Sequence, residues 1–156
     1  RMSECAVCVS GTHANESKAS KCTDCGPGQF AGGDGHTECL NCTAGTFSGW
    51  SDASECTVCY AGSVSGAGAS VCTACVAGQF QNETNTTACM NCTAGFFSAS
   101  EGETECVACG VGWFGATDAL TTCTACAAGS IQNVSGSSAV QRRPPKHGRA
   151  CATGTR

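Results

Sequence analysis

The residues here that could do chemistry are the cysteines, 17 in a chain of 156. Sixteen of them form eight Cys-x-x-Cys pairs, beginning at Cys5, Cys22, Cys39, Cys56, Cys72, Cys89, Cys106 and Cys123. Such pairs serve three chemistries. Two pairs can offer four thiolates to a tetrahedral zinc ion, one pair can act as a dithiol redox centre in a βαβ setting, and oxidised pairs can staple a small exported domain. No βαβ pattern is readable, which leaves zinc and disulfide. The setting favours disulfide, because six Asn-x-Ser/Thr acceptors for N-linked glycans occur, at Asn15, Asn41, Asn82, Asn85, Asn91 and Asn133, and such acceptors with dense cysteine mark an oxidising, secretory route. No metal and no other cofactor is expected.

The spacing limits how the cysteines pair. The step between pairs is 17 residues, except 16 from Cys56 to Cys72. In a uniform scheme the second cysteine of each pair bonds the first of the next, giving Cys8–Cys22, Cys25–Cys39, Cys42–Cys56, Cys59–Cys72, Cys75–Cys89, Cys92–Cys106 and Cys109–Cys123. In a doublet scheme two adjacent pairs exchange both bonds, as in Cys5–Cys22 with Cys8–Cys25. A slower period favours the uniform scheme. Gly28-Gln29-Phe30 returns as Gly78-Gln79-Phe80, and the repeats from Cys39 and Cys89 share Cys-x-Asn-Cys-Thr-Ala-Gly-x-Phe-Ser, so repeats three apart are most alike, whereas doublets would put them in opposite halves of a module. Either three repeats complete one turn, or triplets were duplicated without helical meaning. Cys5, Cys126 and Cys151 are left over. Cys126 closes on Cys151 within one chain, or on Cys5 of another copy.

The elements that must position these cysteines are short. A glycine stands three residues after every second cysteine, at Gly11, Gly28, Gly45, Gly62, Gly78, Gly95, Gly112 and Gly129. Two residues later comes an apolar side chain in seven repeats (Phe30, Phe47, Val64, Phe80, Phe97, Phe114 and Ile131), with His13 the exception. A β-prone dipeptide, a turn rich in Gly, Ser, Asp and Asn and a second short piece predict a β-hairpin per repeat. No apolar 3.6-residue period predicts a helix. The fold class is therefore a small disulfide-rich repeat protein, tandem 17-residue loops or short β-hairpins stacked into an elongated rod, without helices or a single globular core. The aromatics two residues after the glycine are expected to be core. The array is assigned to residues 1–134, and 135–156 to a basic, Pro- and Gly-containing tail. The array opens on a complete pair, Cys5 and Cys8, as though an upstream repeat, an export signal or an anchor lay outside the sequence.

The motif Cys-x-x-Cys-x-x-Gly-x-Phe-Ser, followed by the next Cys-x-x-Cys, resembles the ephrin-receptor-like cysteine-rich repeats, relatives of the tumour necrosis factor receptor and growth-factor receptor cysteine-rich modules. The resemblance runs from residue 5 to about 134. It implies an extracellular, rod-like disulfide ladder in which the glycine permits a tight turn and the aromatic packs against neighbouring disulfides. Modules of this kind often act as spacers or stalks.

Charge excludes other roles. Between Cys22 and Gln141 there is no Lys or Arg but there are ten acidic residues, so nucleic acid is not an expected partner. The last fifteen residues reverse the sign with Arg142, Arg143, Lys146, Arg149 and Arg156, an asymmetry that favours head-to-tail contact. No apolar run is long enough for a membrane span. Gly110 to Gly115 spells GxGxxG, but Gly112 is the repeat's own glycine and no buried strand precedes it. Glu101, Glu103 and Glu105 read as one solvated face rather than a calcium site. His13, His36 and His147 lie in unrelated contexts, so no nucleophile, base and orienter set is offered and no enzyme is expected. Trp50, Tyr60 and Trp113 are candidate exposed contacts. The expected function is a structural extracellular glycoprotein that forms a stalk or assembles head to tail with copies of itself into a fibre. The alternative is a receptor or adhesion ectodomain fragment that binds or positions a protein ligand.

Overall fold

The structure is a computed structural model, and it describes residues 7–15 and 21–142. Within these the chain has no helices and sixteen two-residue strands, paired as eight antiparallel hairpins. The first seven hairpins join the dipeptide that begins one residue after the glycine to the two residues inside the next Cys-x-x-Cys, and the eighth closes on Gln141–Arg142, which no cysteines flank. Thus β1 (Thr12–His13) pairs with β2 (Thr23–Asp24), β3 (Gln29–Phe30) with β4 (Leu40–Asn41), and β5 (Thr46–Phe47) with β6 (Thr57–Val58). The pattern continues through β7 (Ser63–Val64) with β8 (Thr73–Ala74), β9 (Gln79–Phe80) with β10 (Met90–Asn91), and β11 (Phe96–Phe97) with β12 (Val107–Ala108). It ends with β13 (Trp113–Phe114) on β14 (Thr124–Ala125), and β15 (Ser130–Ile131) on β16 (Gln141–Arg142). Hairpin geometry therefore extends to Arg142, eight residues past residue 134.

The entry to each hairpin is a tight turn. In repeat two, the Gln29 N–H donates to Gly26 O at 3.0 Å across Pro27 and Gly28, with Gly28 at φ +81°. A positive-φ glycine at the third position is what a type II turn requires, and a proline at the second favours it. Alanine replaces the proline in most other repeats, and the same bond recurs, for example Thr46 N–H to Thr43 O and Phe96 N–H to Thr93 O.

Two-residue strands cannot stand alone in water, and here they do not. The chain divides into two compact units, residues 1–73 with 83–88, and residues 74–82 with 89–156. In the first, three turn glycines donate to the next repeat: Gly11 to Ala31 O, Gly28 to Ser48 O, and Gly45 to Ser65 O, at 2.7–2.9 Å. Its carbonyl accepts from the next repeat's second cysteine, as from Cys25, Cys42 and Cys59 at 2.8–2.9 Å. In the second unit the same ladder runs from Gly78 to Ser98 O, Gly95 to Gly115 O and Gly112 to Gln132 O, each at 2.9 Å. Within each unit a repeat thus satisfies its backbone with its neighbour's, so stability accumulates from repeat to repeat.

The core is narrow and made of small groups. The second cysteine of every described pair is buried, from Cys8 to Cys126, and six of them are fully so. Beside them lies the residue three after the glycine: Ala31, Ser48, Ser65, Gln81, Ser98 and Gln132 are 5 % exposed or less. The aromatics expected as core are not: Phe30, Phe47, Phe80, Phe97 and Phe114 are half-buried. A two-stranded hairpin covers only one face of its rings, and the room beside each disulfide is taken by a smaller side chain. Where a hydroxyl fills that room its donor is satisfied, Ser65 by Thr46 O at 2.9 Å and Ser98 by Gln79 O at 3.1 Å. Ile131 is the only residue at the glycine-plus-two position to be buried among those described, at 6 %.

Candidate functional site

Among the described residues seven disulfides are formed: Cys8–Cys22, Cys25–Cys39, Cys42–Cys56, Cys59–Cys72, Cys75–Cys89, Cys92–Cys106 and Cys109–Cys123. The arrangement is the uniform one, with the second cysteine of a pair bonded to the first of the next. Every bond spans one hairpin, and Cα separations are 5.6–5.7 Å throughout, inside the range a disulfide bridges without backbone movement. Cys126 holds the place that is bonded forward in the earlier repeats; it is 8 % exposed, and its N–H donates to Gly112 O at 3.0 Å. Cys5 and Cys151 lie outside the described residues, as do the basic residues from Arg143 onward.

A second conformational frame runs through the hairpin loops. Gly35, Asp52, Gly68, Asn85, Gly102, Ala119 and Gly136 all have positive φ, between 57° and 77°. They occupy one position of the hairpin loop, six or seven residues after the turn glycine. Each N–H donates at 2.7–2.9 Å to the carbonyl of the previous repeat's second cysteine, as Asp52 does to Cys25 O and Ala119 to Cys92 O. The carbonyls of Asp52, Gly68, Asn85, Ala119 and Gly136 approach the turn glycine two repeats back, at Gly11, Gly28, Gly45, Gly78 and Gly95 in turn. A Cβ on Gly28 would stand 2.2 Å from Gly68 O, and one on Gly95 2.2 Å from Gly136 O. The signal that could have found the position is its composition, since Gly, Asn and Asp tolerate the left-handed region.

His13, Cys25 and Cys39 bring an imidazole and two sulfurs within 4.8 Å of one another. His13 Nδ1 lies 3.1 Å from Cys39 Sγ. Both sulfurs belong to the Cys25–Cys39 disulfide, and metal ligation needs thiolate, so this is a packing contact that fills the place of a phenylalanine. The GxGxxG stretch from Gly110 to Gly115 folds as a turn and the start of β13, with Gly112 N–H given to Gln132 O, and no helix follows to receive a phosphate. Glu101 and Glu105 are exposed and Glu103 half-buried.

All six glycan-acceptor asparagines are exposed: Asn15, Asn41, Asn82, Asn85, Asn91 and Asn133. Two of them are held. Gln79 Nε2 donates to Asn91 Oδ1 at 2.9 Å, and Gln29 Nε2 to Asn41 Oδ1 at 3.2 Å, across the paired positions of their hairpins. Trp50 and Tyr60 are the most exposed aromatics, at 82 % and 70 %, and Trp113 is 45 % exposed.

Between successive hairpins of the second compact unit run open grooves. One, of about 370 Å³, is lined by Phe80, Met90, Asn91, Thr93, Phe96 and Cys106. The next, of about 410 Å³, is lined at matching positions by Phe97, Val107, Ala108, Gly110, Trp113 and Cys123, with Thr122. Each groove is the space between one repeat's aromatic and the next repeat's strand, floored by a disulfide, and its composition is mainly apolar.

Residues 62–102 match a family model described as tyrosine-protein kinase ephrin type A/B receptor-like. The matched stretch contains the Cys75–Cys89 disulfide and the hairpin of β9 and β10 whole. Its frame of cysteine, turn glycine and left-handed loop residue is the frame of the repeats on either side. No curated protein matches the chain. No helix among the described residues is long and apolar enough to cross a membrane.

Proposed function

We propose that this chain is a structural extracellular glycoprotein, a disulfide-stapled array that serves as a stalk or assembles end to end with copies of itself. The observation that carries the reading is the ladder: within each compact unit, turn glycines and left-handed loop residues bond the backbone of the neighbouring repeat, so that one repeat supports the next. Seven disulfides at hairpin spacing and six exposed acceptor asparagines support an extracellular setting. The acidic array and the basic last fifteen residues support contact between unlike ends, with Cys5, Cys126 and Cys151 as the groups that make or accompany that contact.

A receptor or adhesion ectodomain is the second reading, and it rests on the receptor-like match at 62–102 together with the exposed rings of Trp50 and Tyr60, which are the residue types that anchor protein interfaces. The deciding experiment is non-reducing peptide mapping of native material beside electron microscopy of the purified protein. A peptide joining Cys5 of one copy to Cys126 or Cys151 of another, with linear polymers, is the result expected for assembly. Monomers with only internal bonds and saturable binding of a protein ligand would establish the receptor reading instead.

A further inference from the structure

We propose that the groove beside Asn91 is a seat for the first sugar of an Asn91-linked glycan, an N-acetylhexosamine that lies against Phe96 and Phe80. The inference rests on the glycoprotein reading and adds to it which acceptor is built to hold its sugar, and how.

Asn91 is an acceptor by sequence, with Cys92 and Thr93 following, and it lines the groove with Thr93 itself. Its side-chain amide is oriented. Gln79 Nε2 donates to Oδ1 at 2.9 Å, which occupies the oxygen and turns Nδ2, the atom that carries a sugar, away from Gln79. Attachment takes nothing from that bond: Nδ2 attacks the anomeric carbon of a lipid-linked oligosaccharyl diphosphate, the C–N bond forms, the C–O bond to phosphate breaks, Nδ2 loses one proton, and the diphosphate leaves with the electron pair. The product amide keeps Oδ1 as an acceptor and still holds one N–H. The Gln79 clamp therefore persists and fixes the direction in which the sugar leaves the strand.

The groove offers what one face of a pyranose needs. A hexose ring carries a patch of polarised C–H groups, which are drawn to the negative face of an aromatic ring, while its hydroxyls prefer water. Phe80 and Phe96 are half-buried and Met90 is 43 % exposed, so apolar surface is left uncovered beside the acceptor. At about 370 Å³ the space suits one sugar rather than a peptide segment. A covalent occupant also loses less translational freedom than a diffusing one.

The repeats supply internal comparisons. Asn41 shares the clamp, with Gln29 Nε2 donating to its Oδ1 at 3.2 Å and Phe30 beside Leu40 in the same register. It has Thr46 where Asn91 has Phe96, and so one ring fewer. The groove along the chain at Trp113 has Ala108 at the acceptor's position and takes no glycan. Asn85 sits in the left-handed loop position at φ 59°, outside either groove.

The test uses the full chain secreted from eukaryotic cells, with its glycans trimmed enzymatically to single N-acetylglucosamine residues. Glycopeptide mapping reads occupancy, and NMR reads the N-acetyl methyl of each sugar. The expected result is an occupied Asn91 whose methyl is displaced upfield by the phenylalanine rings, relative to the sugar on Asn85 or Asn133, and nuclear Overhauser contacts from that sugar to Phe96. Phe96→Thr, which installs the residue already present at Thr46, should reduce the displacement to that seen on Asn41 while leaving the Asn85 signal in place. An Asn91 methyl at the same position as that of Asn85, or one that Phe96→Thr does not move, overturns the seat and leaves the glycoprotein reading standing. An unmodified Asn91 among modified neighbours does the same. A chain with no occupied acceptor overturns both.

Discussion

Gly28 and Gly68 face each other across one close approach, and replacing each with alanine asks different things of the fold. Both have positive φ, +81° and +70°, so alanine at either site pays the left-handed penalty, roughly 1–2 kcal/mol. The sites differ in space. A methyl at Gly68 meets only the Asn41 side chain, at 3.7 Å or beyond, an ordinary contact. A methyl at Gly28 stands 2.2 Å from Gly68 O and 2.9 Å from Gly68 C, and a backbone carbonyl cannot rotate away as a side chain can. The two strands must separate by more than an ångström. That separation opposes the bonds tying them to the ladder, Gly68 N–H to Cys42 O at 2.8 Å and Cys42 N–H to Gly28 O at 2.9 Å, at about 1 kcal/mol net each. Gly28→Ala should therefore cost about 3–4 kcal/mol and Gly68→Ala about 1–2 kcal/mol. Because repeat arrays open locally, the assay is native-state hydrogen exchange at the Cys42 amide with the disulfides intact. Each 1.4 kcal/mol shows as about tenfold faster exchange, so the expected loss of protection is roughly tenfold for Gly68→Ala and at least a hundredfold for Gly28→Ala. Equal losses in the two variants would show that φ alone fixes the glycine and that the approach two repeats on carries no constraint.

Among the described residues Ala119 is the one left-handed loop residue that is neither Gly, Asn nor Asp, at φ 57°, and Ala119→Gly should stabilise its loop by about 0.5–1 kcal/mol after the added chain entropy is subtracted, read as slower exchange of the Ala119 amide on Cys92 O. Replacing Cys59 and Cys72 together by alanine removes a staple of sequence separation 13 and should cost about 3 kcal/mol, measured as lost protection of the Cys59 amide on Gly45 O, with the other six bonds retained in peptide mapping. His13→Phe puts the usual ring at a half-buried position and should stabilise the first hairpin by about 1 kcal/mol, seen as slower exchange of the Ala14 amide on His36 O; a loss of protection would mean that the 3.1 Å contact to Cys39 Sγ outweighs apolar burial.

The parts of this fold that were legible in the sequence are those written as identity at fixed spacing. Cysteine pairs, the turn glycine and the β-prone dipeptide after it each bear directly on one local geometry, so the hairpins and the turn at Gly28 follow from residue type. The burial pattern was not legible. Phe30 and Phe97 look like core because they are large and recur, yet a hairpin with one neighbour on each side has nothing to cover both faces of a ring. The buried place went to Ala31, Ser48, Gln81, Ser98 and Gln132, whose variety of size and polarity hides a common position in the repeat. The left-handed loop position was equally disguised, because Gly35, Asp52, Asn85 and Ala119 share a backbone angle and no side-chain chemistry. The likeness of repeats three apart also has a local cause. Gln29 with Asn41 and Gln79 with Asn91 make the same side-chain bond, while the described backbone bonds and glycine contacts reach one and two repeats away.

Where the frame is fixed, function has to lie in what the frame leaves free. Cysteine, turn glycine, small buried residue and left-handed residue are committed to the ladder, and changing any of them disturbs a neighbour. The first position inside each Cys-x-x-Cys is not committed in this way. It is exposed on a strand, and it holds Thr23, Leu40, Thr57, Thr73, Met90, Val107 and Thr124 in successive repeats. In the grooves described, that residue, with the ring following the turn glycine, decides what the groove presents: Met90 with Phe96 beside an acceptor asparagine, Val107 with Trp113 beside an alanine. Exchanging these side chains between grooves leaves every ladder bond in place, since the exchanged residues contribute only main-chain groups to it. Chains carrying Asn91→Ala with Ala108→Asn and Gly110→Thr should therefore fold with all seven disulfides, and an occupied acceptor should move with the asparagine to the groove at Trp113. Retention of the disulfides with no modification at position 108 would place the determinant of occupancy in the frame and not in the groove.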